Sequence, residues 1–126
     1  MLLVSHDPID PAAAYSLIAK ESAGSVVFHY ATVKEMCSED KTTTGIEYRA
    51  DGDVEAELEA IAAELKETWK LEDVILIRRT GRLGIGDIIS LVAASSPNSE
   101  DAFTSCKHGI SRLKKMTTIK KTEVFA

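Results

Sequence analysis

Val74-Ile75-Leu76-Ile77 is an unbroken aliphatic run set between Asp73 and the pair Arg78-Arg79. Successive strand side chains point to opposite faces, so a run without alternation describes a strand covered on both sides, around which the rest of the chain has to fold. For the same reason Arg78 and Arg79 cannot share one pocket unless the strand has already bent. The clearest helix of the chain precedes this strand. Asp51-Gly52-Asp53 opens it, and Val54, Leu58, Ile61, Leu65 and Trp69 step by four, three, four and four along one face. Glu55, Glu57, Glu59 and Glu64 occupy its other faces and read as a solvated surface rather than a catalytic set.

The remaining segments continue an alternation of helices and strands. Asp10-Pro11 is an N-cap with proline at the first helical position, and Ala14, Leu17 and Ile18 carry a helix through Glu21 to a stop at Ala23-Gly24. Ser25 to Val33 is a strand rich in Val, Phe and Tyr that ends at Lys34. Ser38 to Thr44 reads as a mobile loop before a short strand at Ile46 to Arg49. After the central run, Thr80 to Asp87 is a connection punctuated by Gly81, Gly84 and Gly86; its spacing matches no phosphate-cradling loop, and a strand, Ile88 to Ala94, follows it. Ser95 to Ser99 is a loop with an N-cap, and Glu100 and Asp101 favour the dipole of the next helix, whose buried stripe reads as Phe103, Cys106, Ile110 and Leu113.

Charge is distributed unevenly along the chain. Residues 1–106 hold nine Lys and Arg against 19 of the 20 carboxylates, whereas Lys107, Arg112, Lys114, Lys115, Lys120 and Lys121 crowd the end with Glu123 as their sole acid. A chain of net charge −5 that gathers its cations in one segment is presenting them to an anion, with a solvated helix face as the plainer alternative. Nucleic acid is a weak candidate partner, because no aromatic residue interleaves with the lysines as a base-stacking platform requires. A length of 126 residues is that of one domain, spanning residues 1–126. No apolar stretch reaches the ~18 residues of a membrane span, and MLLVSHDPID lacks the basic start of a signal peptide, so a cytoplasmic location is expected. Cys37 and Cys106 are far apart without a C-x-x-C spacing, and His6, His29 and His108 are scattered, so no metal site is indicated.

The order of these pieces carries a resemblance. Gly24 to Lys34, Ile46-Glu47-Tyr48 before an acidic helix, Val74 to Leu83 leading to Gly86-Asp87, Ala102-Phe103, and Leu113-Lys114 to Lys121-Thr122-Glu123 follow one another without a long gap over residues 24–123. In this arrangement the chain resembles the large, catalytic subunit of molybdopterin synthase. Individual positions depart from that family. Its Val-Arg is Val33-Lys34 here, its first His-Arg is Arg78-Arg79, its second is Asn98-Ser99, and the proline and tryptophan of its ending are Thr118 and Lys120.

The resemblance implies an α+β fold of the α/β-hammerhead type with a small additional antiparallel β subdomain. It also implies a homodimer that binds one small ubiquitin-like sulfur-carrier subunit per chain, making a heterotetramer. The implied activity is a step of molybdenum cofactor biosynthesis. Sulfur would pass from the thiocarboxylated Gly-Gly terminus of the carrier to cyclic pyranopterin monophosphate, giving molybdopterin, with no metal or organic cofactor. The family's two essential lysines fall on Lys114 and Lys121, with Lys120 a rival for the second. Lys34, Arg78, Arg79, Asn98, Ser99, Lys115 and Lys120 are the implied substrate contacts. A non-catalytic homologue that only binds the carrier is the alternative.

Overall fold

The strand Asp73–Arg79 lies inside a four-stranded sheet, flanked by a parallel neighbour at Leu2–Ser5 and an antiparallel one at Ile88–Ser96. In the computed structural model, which describes residues 1–35, 37–38 and 41–125 (37, 38 and 41 by backbone alone), the elements run in a mixed order. They are β1 (Leu2–Ser5), α1 (Pro11–Leu17), β2 (Ser25–Thr32), β3 (Cys37–Ser38), β4 (Lys41–Ala50), α2 (Val54–Thr68), β5 (Asp73–Arg79), β6 (Gly81–Gly84), β7 (Ile88–Ser96), α3 (Ser99–Lys114) and β8 (Ile119–Phe125). The first sheet has the order β1-β5-β7-β2. In the second, β4 carries β3 and β6 and also pairs antiparallel with β8. The fold is therefore α+β, with a smaller antiparallel sheet beside the main one.

Both faces of β5 are covered, as its sequence requires. Val74 and Leu76 belong to a core with Leu58, Ile61 and Leu65 of α2 and Cys106 and Leu113 of α3. Ile75 and Ile77 belong to a second core with Ala14 and Ile18 at α1 and Leu91 and Ala93 of β7. Each large aliphatic side chain so buried contributes about 1.5–3 kcal/mol, which makes this strand the mechanical centre of the molecule. The two helices over it are tied by charge as well. Glu64 of α2 accepts from Arg112 of α3 and pairs with His108 Nε2 at 3.2 Å.

The caps follow the sequence closely. Asp10, Asp53 and Asn98 each accept from a backbone N–H of the first turn that follows. Several expectations need correction. The first helix ends at Leu17 rather than Glu21, because the carboxylates of Asp73 and Glu72 take the N–H groups of Ala19 and Ser22 and pull the chain out of helical geometry. Strand β7 runs through Ser95 and Ser96, which are fully buried because their hydroxyls reach the carbonyls of Ala19 and Lys70 at 2.6 Å each. Within the segment expected to be a mobile loop, residues 39 and 40 lie outside the described residues, and Lys41 to Thr44 already belong to β4. Gly81 to Gly84 likewise form strand β6, not merely a turn.

Phe103 does not belong to the buried stripe of α3: it is 64% exposed, while Ala102, Ser105, Cys106, Gly109 and Leu113 face the core. A glycine at 109 makes that close approach possible, since a Cβ there would stand 3.0 Å from Val92 Cγ1. Glu57 and Glu64 do not belong to a solvated face. Glu57 holds the start of β8, accepting from Thr117 N at 3.0 Å, Thr118 N at 3.1 Å and Thr118 Oγ1 at 2.6 Å.

Candidate active site

The second sheet, the C-terminal end of α3 and the last residues of β2 close around a pocket of about 570 Å³. Its position follows from three local rules. Lys114 lines it as the last residue of α3, where a cation also meets the negative end of the helix dipole. Arg78 enters from β5, on the face it shares with Val74 and Leu76. The register of β8 supplies Lys121: it lies directly opposite Tyr48 of β4, as Glu123 lies opposite Ile46, and directly opposed residues share a face. Period two then sends Lys120 to the other face, where its Nζ lies 4.0 Å from Asp51.

Charge in this pocket is lopsided. Among the described residues, Lys34, Arg78, Lys114 and Lys121 line it with Glu123 as the single carboxylate, and Glu123 Oε1 is 3.9 Å from Lys121 Nζ. Arg78 is 9% exposed, and its guanidinium stacks 4.3 Å from the centroid of the Tyr48 ring. Its Nε is buried without a hydrogen-bond partner among the described residues. Burial lowers the proton affinity of this guanidinium while neighbouring Tyr48 raises it, and an arginine so placed stays charged at neutral pH. A buried cation held by a ring face rather than a carboxylate is poised to receive an anion. His29 of β2 also lines the pocket. Burial, and then the charge of Lys114, hold its imidazole below the usual histidine value.

The other residues singled out in the sequence lie elsewhere. Arg79 points to the opposite side of β5, where it is buried and donates to the His6 carbonyl at 3.2 Å. Asn98 caps the N-terminus of α3 and Ser99 follows it, about 24 Å of helix away from Lys114. Lys115 is the C-cap residue of α3, exposed and outside the pocket lining. The basic segment is thus not one patch: Arg112 and His108 are committed to Glu64, and only Lys114 and Lys121 of the segment's cations reach the pocket. His29 and Tyr48 are pocket residues that sequence reasoning did not single out for the site. The alternation Val27, His29, Ala31 in β2 carries the signal for His29, but the nearness of Lys114 could not be read from it.

An α+β protein that buries an arginine among lysines between a second sheet and a helix end has a site whose charge suits an anionic ligand. Residues 4–116 match the family model described as MoaE protein, and the chain belongs to that family. It is 28% identical over 123 residues to the molybdopterin synthase catalytic subunit of Bacillus subtilis, covering 97% of this chain and 78% of that one. The Staphylococcus aureus catalytic subunit is 32% identical over 120 residues, covering 94% and 80%. A crystal structure of molybdopterin synthase from S. aureus superposes with a TM-score of 0.88 at 30% identity, covering 98% of this chain and 90% of that chain. Among the described residues no helix is long and apolar enough to cross a membrane, and no group of three or more His, Cys, Asp or Glu could hold a metal ion.

Proposed function

We propose that this chain is the catalytic subunit of a molybdopterin synthase, moving sulfur from the thiocarboxylated C-terminus of a small ubiquitin-like subunit to cyclic pyranopterin monophosphate. Membership of the MoaE family and the named activity of its B. subtilis and S. aureus relatives support the reaction. The observation that carries it is the convergence of Lys114, Lys121 and the buried Arg78, from three separate elements, on one pocket. Both reactants are anions. The thiocarboxylate and the cyclic phosphate each lose hydration on entering, and fixed cations replace that hydration.

In this reading Arg78 takes the phosphate. Its guanidinium fork suits two oxygens at once, and Lys34 adds a point charge where the family carries arginine. Lys114 and Lys121 act on the thiocarboxylate, holding its charge as the carbon–sulfur bond is remade. Assembly as a homodimer with one carrier subunit bound to each chain completes the proposal.

The experiment is a single turnover with thiocarboxylated carrier and the cyclic pterin. Lys114→Ala should abolish most transfer while the carrier still binds within a few fold, because a group used mainly in the transition state affects turnover more than ground-state affinity. Lys115→Ala, one residue along and outside the pocket, controls for the mere loss of a positive charge. Equal losses in the two variants, both with weakened carrier binding, would make the basic segment a docking surface and overturn the catalytic assignment. Carrier binding without turnover in the unsubstituted protein would identify a non-catalytic homologue.

A further inference from the structure

We propose that His29 is the proton acceptor of this pocket, deprotonating the water that releases the carrier from sulfur. The inference rests on the sulfur-transfer reading above and adds a role that reading leaves unfilled. Once the thiocarboxylate sulfur has bonded to a pterin carbon, the carrier's acyl carbon is still attached to it as a thioester. Water must add its oxygen to that carbon. The electron pair of the breaking carbon–sulfur bond then leaves with sulfur as a thiolate on the pterin, and the carrier ends as a carboxylate. Two protons are set free, and the first leaves the water as it attacks, so a base beside the acyl carbon accelerates the step.

The groups that line the pocket leave few candidates for that base. Among the described residues, Lys34, Arg78, Lys114 and Lys121 are cations, and Glu123, the one carboxylate, has Lys121 beside it and accepts from Thr43 Oγ1 at 3.4 Å. Tyr30 and Tyr48 are phenols, and burial followed by the charge of Asp10 raises Tyr30 further. His29 is the one imidazole. It lies on β2 opposite Val92, on the strand face shared with Val27 and Ala31, both of which pack against the core that includes α3. Among the described residues no group hydrogen-bonds its buried Nδ1, and a proton held there leaves Nε2 with the free lone pair.

The surroundings keep this ring ready. From α3 it meets the charge of Lys114; Cys106, also on α3, is a neutral thiol whose Sγ donates to the Val92 carbonyl. Ser90 and Val92 of β7 carry no charge. Arg78 of β5, Lys34 beyond β2, and Lys121 with Glu123 on β8 complete the set among the described residues, and cations dominate it. A ring that burial and a neighbouring ammonium both discourage from protonation is a free base at neutral pH. Protonation during turnover brings it to a positive charge among positive charges, from which it gives the proton back readily.

The test is the pH profile of single-turnover sulfur transfer for the unsubstituted chain and for His29→Phe, which keeps an aromatic ring on β2. The unsubstituted rate should fall as pH drops through the imidazole's pKa, below 6.5. In His29→Phe the rate at pH 7 should be about 10²-fold lower or less still, without that acid limb, while carrier affinity stays within twofold. An unchanged rate, or a slower one that keeps the same acid limb, would overturn the proposal. A second measurement needs no turnover: the His29 ring resonance should titrate below 6.5 and move upward in Lys114→Ala, and a midpoint that ignores Lys114 would refute the pairing. An unsubstituted chain that binds carrier yet transfers no sulfur would sink the function reading itself, and this step with it.

Discussion

Glu57 in the first turn of α2 accepts hydrogen bonds from both the backbone N–H and the hydroxyl of Thr118, at 3.1 and 2.6 Å, and so fixes where β8 begins. Three residues later β8 places Lys121 opposite Tyr48. An acid on the outer side of a helix thereby sets the register of a strand that lines the pocket. Replacing it with alanine leaves the N–H groups of Thr117 and Thr118 without their acceptor and should cost about 1 to 2 kcal/mol in urea unfolding. Sulfur transfer should fall with it, through Lys121. An unaltered midpoint in urea would show that the contact carries no stability.

The same contact makes stability sensitive to acid. Burial alone would raise the Glu57 carboxyl, but the bonds from Thr118 and Thr117 outweigh it and hold the pKa below its ordinary 4.5. A carboxylate depressed in the folded state stabilises it above the unfolded pKa, and that contribution is lost as pH falls through the folded value. The difference in unfolding free energy between the unsubstituted chain and Glu57→Gln should therefore be full at pH 7 and shrink below about pH 4.5. A difference that stays constant down to pH 3 would count against the ionised contact.

Leu58 and Leu65 are fully buried between α2 and the sheet. Either Leu→Ala substitution should cost about 2 to 5 kcal/mol, the spread reflecting how far the site can collapse around the cavity. Chemical denaturation with an unchanged m-value would confirm it, and a loss under 1 kcal/mol would place these leucines outside the core.

Gly45 sits where β4 meets β6 and β8 together, and a Cβ there would stand 2.6 Å from the Leu83 carbonyl oxygen. Backbone cannot yield as a flexible side chain can. Gly45→Ala should part β4 from β6, lowering stability by about 1 to 3 kcal/mol and disturbing the pocket that β4 lines. Melting at the unsubstituted temperature would show that the second sheet tolerates the added methyl group.

Arg78→Lys keeps the charge but loses the fork and the flat face that rests on Tyr48. KM for the cyclic pterin should rise about tenfold, equivalent to about 1.4 kcal/mol, with kcat much less affected. Loss confined to kcat would move Arg78 from substrate binding to the chemical step.

Burial pushes the Cys106 thiol up to about 11, and its Sγ donates to the Val92 carbonyl. With Cys37 replaced by serine, the native protein should resist thiol-directed labelling at pH 8 and react only when unfolded. Rapid labelling of the native chain would mean that α3 opens readily from β7.

By itself the sequence determined the central strand, the three helix starts and the likeness to a family. Each of these is a local matter: Val74 to Ile77 must be covered on both faces whatever surrounds them, and Asp10, Asp53 and Asn98 cap the turns that follow them. The ends of elements were decided by distant partners. The first helix stops where Asp73 and Glu72, fifty or more residues on, take the N–H groups of Ala19 and Ser22 just beyond it, and strands β1 and β8 exist because β5 and β4 offer them edges. The site divides in the same way. Its lysines stand out as a cluster in the chain, yet which of them matter was decided by strand register and helix phase, since a shift of one residue along β8 exchanges Lys121 for Lys120. Tertiary packing alone set Arg78 on the ring of Tyr48 and brought His29 near Lys114, because proximity between residues so far apart in the chain has no period for a sequence to carry.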